Sequence, residues 1–169
     1  MSDKSRGSAG QTRAAKAKKR AQKNPGTVVS LADRSRRTAV DEYQRLIPMF
    51  HAWLLDSGIS TGVEMAAARV VGVGQAVDLL AQDTIRFSAT AWRTSDIDHL
   101  LEVVPGGEQD RLLIAGEVAV YLLFLGESGL WTGSDADFED CIETVDEYID
   151  LDEDRQTIWD QHFRRWVRS

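Results

Sequence analysis

Hydrophobic positions in this chain recur three and four residues apart over most of its length, the spacing that lines one face of an α-helix. Val40, Tyr43, Ile47, Phe50 and Leu54 form the first series, widened by Leu46 and Trp53 and stopped by Gly58. Ser30 with Asp33 and Thr38 with Asp41 are weak capping pairs at its start, and Pro48 predicts a kink or a restart within it. Val63, Ala66, Val70, Val73, Val77, Leu80, Thr84 and Phe87 continue the same stepping, predicting a helix from Thr61 to Phe87 with Thr61 and Glu64 as its capping box. A connection anchored by Trp92 follows. A short helix opened by Ser95 and Asp98 then carries Ile97, Leu100, Leu101 and Val104 as far as Pro105-Gly106-Gly107.

The pattern changes between Leu112 and Leu125, where only Glu117 interrupts fourteen apolar or glycine positions. That run is shorter than the ~20 residues needed to cross a bilayer, and a helix apolar on nearly every side is normally wrapped by others. Glu108–Gly126 is therefore predicted as the central helix. Ser134 then caps a helix whose inward face is Phe138, Ile142, Val145 and Ile149, with Cys141 beside it as a buried thiol. A last element, Glu153–Val167, carries Ile158, Trp159, His162, Phe163, Trp166 and Val167 on one wide face suited to closing the core. Period-two alternation and Asn-Gly hairpin turns are missing. The prediction is an all-α, bundle-like domain of about six helices around one apolar helix.

Residues 1–26 stand outside this pattern. They hold no large apolar side chain apart from Met1, so they cannot form a core and are expected to be disordered when free. The chain thus divides into a basic tail, 1–26, and an acidic helical domain, 27–169. Charge sharpens the division. The tail carries eight lysines and arginines against Asp3 alone, a net of +7, so the overall −7 leaves −14 for the remainder. All five lysines lie in the tail. Such an arm is a candidate for phosphate backbones through Arg13, Lys16, Lys18, Lys19, Arg20 and Lys23, as against a merely solubilising extension. With no aromatic residue to stack on bases, it has nothing to read a sequence with.

Outward positions of the Ser134-capped helix, Glu139, Glu143, Asp146, Glu147 and Asp150, form an acidic ridge that Asp152, Glu153 and Asp154 extend. A solvated face is the ordinary reading of such a ridge, and a dock for a basic partner or for the tail itself is the functional one. Asp150, Asp152 and Asp154 imitate the first ligands of a calcium loop, but Arg155 and Gln161 stand where its glycine and glutamate belong, so no metal is expected.

Other resemblances to reactive motifs are weaker. Gly72-Val73-Gly74 begins a dinucleotide fingerprint, but Val77 replaces the third glycine and one helix explains the stretch, its glycines allowing close packing. Gly126-Glu127-Ser128-Gly129 falls short of a nucleophile elbow and reads as a helix-ending loop. His51 and His99 have no nucleophile at helical spacing. Glu117 is either at a helix edge, paired with an arginine, or a buried acid of raised pKa. With a single cysteine no internal disulfide can form, which suits a reducing cytoplasm.

No cofactor and no catalytic set are expected. The leading expectation is a non-enzymatic cytoplasmic adaptor or regulator whose tail contacts nucleic acid or another polyanion. The second is an interaction module whose acidic face, 139–154, docks a basic protein. A small all-α enzyme using Glu117 is the third.

Overall fold

The computed structural model describes residues 31–149, and these fold into five helices with no strand among them. They are α1 (Leu31–Asp56), α2 (Val63–Asp83), α3 (Thr94–Val103), α4 (Glu108–Glu127) and α5 (Asp135–Tyr148). The all-α class follows. The sixth expected helix, Glu153–Val167, lies outside the described residues, as does the tail, 1–26.

Helix α4 is the one the others share, touching each of the other four. Its Val118, Ala119, Tyr121, Leu122, Leu123, Phe124 and Leu125 are all buried, and Val120 between them is half-buried. Tyr43 and Phe50 of α1 meet Tyr121, and Phe50 and Trp53 meet Phe124, with ring centroids between 5.1 and 5.7 Å apart. These successive pairs set α1 and α4 side by side in the same direction. The Trp53 indole N–H also donates to Glu127 Oε2 at 2.9 Å, tying α1 to the end of α4. Edge-on and tilted rings add about 1 kcal/mol per pair beyond the area they bury.

Several local expectations need correcting. α1 is continuous through Pro48, so there is no restart. An apolar face held on both sides of the proline outweighs one lost backbone bond. Thr38 does not start a helix; its hydroxyl donates to the Arg34 carbonyl inside α1. α2 begins at Val63 with Gly62 as N-cap and no side-chain cap, so Thr61 and Glu64 make no capping box. It ends at Asp83, and Phe87 is buried from the following loop rather than from the helix. In α3 the acid that matters is Asp96, not Asp98. Asp96 Oδ2 accepts from the Arg93 backbone N–H at 2.9 Å, and the residue is buried.

Other termini fall where their chemistry places them. Ser134 Oγ accepts from the Asp137 N–H at 3.1 Å and opens α5. At the end of α4, Gly129 adopts φ 64°, while Gly129 N–H donates to Gly126 O and Leu130 N–H to Leu125 O. That is the Schellman arrangement, which requires a left-handed residue and so favours glycine.

The loop between α2 and α3 is pinned from three sides. Glu42 Oε2 accepts from Ser88 Oγ and the Ala89 N–H, both at 3.0 Å. The Ala89 carbonyl accepts from the Trp92 indole and from the Tyr121 hydroxyl, both at 3.1 Å. Arg86, at φ 70°, is held by its N–H donating to Ser35 Oγ at 2.8 Å. Trp92 is the anchor its position suggested, 1% exposed.

Candidate interaction surfaces

Glu117, the one acid within the apolar run of α4, meets Arg69 of α2. Arg69 Nη1 donates to both carboxylate oxygens, at 3.1 and 3.0 Å, and both side chains are about three-quarters buried. Burial pushes the Glu117 carboxyl above the usual carboxylate range, while the charge and hydrogen bonds of Arg69 pull it back. The arginine-paired alternative is thus the observed one. Gly72 makes the approach possible: a Cβ there would stand 3.2 Å from Glu117 Cγ. Gly74 does the same for α1, where a Cβ would stand 3.2 Å from Tyr43 Cε1. The Tyr43 hydroxyl donates to the Val70 carbonyl, and burial together with the nearby Glu117 charge keeps that phenol protonated at any ordinary pH.

Both glycines of the partial fingerprint therefore serve helix packing. Nothing in the spacing around Glu117 points to Arg69, 48 residues earlier. The available signal was composition, since Arg69 is the only cation within α2.

Beside this pair the first half of α4 presents a different face. Leu112, Leu113, Gly116 and Val120 share one side of the helix. Leu112 is 40% and Leu113 64% exposed, and a Cβ on Gly116 would meet nothing within 4 Å. Burial on all sides was expected of this run and holds only in its second half. The first has too few described neighbours to wrap it.

Helix α5 divides cleanly. Phe138, Cys141, Ile142 and Val145 are buried, and Glu139, Asp140, Glu143, Asp146 and Glu147 are exposed. The helix contains no lysine or arginine. Four of the five proposed docking acids, Glu139, Glu143, Asp146 and Glu147, thus share the solvent side; Asp150 lies outside the described residues. So do Arg13, Lys16, Lys18, Lys19, Arg20 and Lys23. Burial, with Asp96, Asp137 and Asp140 nearby, pushes the Cys141 thiol up to about 12, making it inert at neutral pH.

The described histidines stand apart. His51 is half-buried, and His99 Nε2 lies 3.5 Å from Asp83 Oδ2 with no hydrogen bond between them. Among the described residues no group of three or more His, Cys, Asp or Glu could hold a metal ion, and no helix is long and apolar enough to cross a membrane. A shallow depression at the start of α2, lined by Thr61, Gly62, Val63, Glu64, Met65 and Ala68, does not reach Glu117. Compared with known proteins, the chain matches no family model, no curated protein and no solved structure.

Proposed function

We propose that this chain is a non-enzymatic cytoplasmic adaptor or regulator, a helical domain that holds nucleic acid or another polyanion through its basic N-terminal residues. The observation that carries the reading is the division of charge, +7 over residues 1–26 against −14 over the rest. Acids exposed along α5 repel a polyanion from that surface and leave the approach to Arg13, Lys16, Lys18, Lys19, Arg20 and Lys23. Glu117, already paired with Arg69, fits a structural carboxylate better than a working acid. Binding of a 20-base-pair duplex should weaken steeply with salt, with a log–log slope of roughly −4.5 to −5.5 for five or six phosphate contacts. Deleting residues 1–23 should abolish it; an unchanged affinity would refute the reading.

The exposure of Glu139, Glu143 and Glu147 along one side of a helix without cations favours a second reading, a dock for a basic protein. Reversing these three to lysine should then abolish capture of a lysine-rich peptide. Retained capture would count against it.

A further inference from the structure

We propose that the partly covered stripe of α4, exposed at Leu112 and Leu113 and running on past Gly116 to the half-buried Val120, is the seat of the chain's own residues 153–167. Leucines 40% and 64% exposed in the first half of the central helix are apolar surface that the described helices do not cover. Apolar side chains contiguous along a helix face, with open space at a glycine between them, mark a surface built to be covered. The position of the chain identifies the cover. α4 and α5 pack together and are joined by the short connection 128–134, so they run antiparallel. The 14 residues of α5 span about 21 Å, the length of the last fourteen of α4. Tyr148, itself 42% exposed, therefore comes level with the region of Leu113.

Residues 150–169 continue from that place, and the strip is within their immediate reach. In their sequence Trp159, Phe163 and Trp166 fall at i, i+4 and i+7, and Leu113, Gly116 and Val120 at i, i+3 and i+7. Two stripes of equal length would meet. Charge agrees: Arg164, Arg165 and Arg168 accompany the aromatics, while Glu108, one turn before Leu112, is exposed.

A photo-crosslinker decides the matter in the full-length chain. Leu113→p-benzoylphenylalanine should give intrachain adducts that peptide mapping places within residues 153–167. Adducts joining two chains would make a second copy the occupant, and an absence of adducts to that segment would overturn the proposal outright. Amide exchange supplies a second arm. In the full chain carrying Trp159→Ser and Phe163→Ser, residues 110–120 should exchange at least tenfold faster, with residues 121–125 unchanged. Equal rates in the two proteins would overturn the proposal as well. Should the double variant unfold, the adduct map stands by itself.

Discussion

Within a single helix, α4 holds two environments. From Val118 to Leu125 every residue but Val120 is buried, wrapped by α1, α2, α3 and α5. Before Ala115 the same helix leaves Leu112 and Leu113, side chains as apolar as the buried Leu122 and Leu123, in water. The leucines are alike in the two places; the supply of neighbours differs. The aromatic series Tyr43, Phe50 and Trp53 of α1 packs against Tyr121 and Phe124, in the second half of α4. Glu117 stands at the border, deep enough to have its pKa raised and shallow enough for one arginine to satisfy it.

The contrast is sharpest for truncation in the two halves. Phe124→Ala, at 1% exposure, should cost about 3–5 kcal/mol in denaturant unfolding. Under the proposed seating of residues 153–167, Leu113→Ala should cost about 1–2 kcal/mol. A truly bare leucine would cost no more than about 0.5 kcal/mol, so that smaller figure would break the comparison in favour of solvent.

The border comes next. Arg69→Ala leaves the Glu117 carboxylate partly buried without its partner, which should cost about 1–2 kcal/mol after allowance for its exposure. Its pH dependence carries a definite sign. The folded pKa of Glu117 lies above the unfolded value, so the folded chain keeps a proton that the unfolded chain releases. Stability falls as pH rises from the ordinary carboxylate range to that raised value, and Glu117→Gln should flatten this part of the profile. Asp96, also raised by burial, leaves a slope of the same sign behind.

Glycine replacements give the smallest effects and differ in sign. Gly116→Ala meets open space and should gain about 0.5–1 kcal/mol from helix propensity. At Gly74→Ala the new methyl meets the ring of Tyr43, which is buried and fixed by Val70, and a net loss of about 1 kcal/mol should appear. Thermal unfolding of the two variants, in opposite directions, checks the pair.

Much of this architecture is readable from local signals. Ser134, the Gly126–Gly129 stop and the limits of α4 announce themselves because capping and left-handed turns depend on residues within one turn. Thr61 with Glu64 had the same form and failed, since the cap there falls on Gly62. Phe87 kept helical spacing by coincidence while its loop was shaped by Glu42, 47 residues before Ala89. Asp98 lost to Asp96 by a shift of two residues that propensity cannot resolve. The Arg69–Glu117 pair and the exposure of Leu113 depend on which helices become neighbours, and periodicity names a face without naming what lies opposite. The charge-bearing segments are the reverse case, plain in composition and silent about geometry.

The carbonyl of Ala89 receives one donor from Trp92, three residues away, and another from Tyr121, 32 residues away. The first can form as soon as the loop does. The second waits until α4 has docked. A connection buried in this way is therefore a late record of assembly: its final shape certifies that the central helix is in place, and anything that loosens α4 should be felt first where the chain turns from α2 into α3.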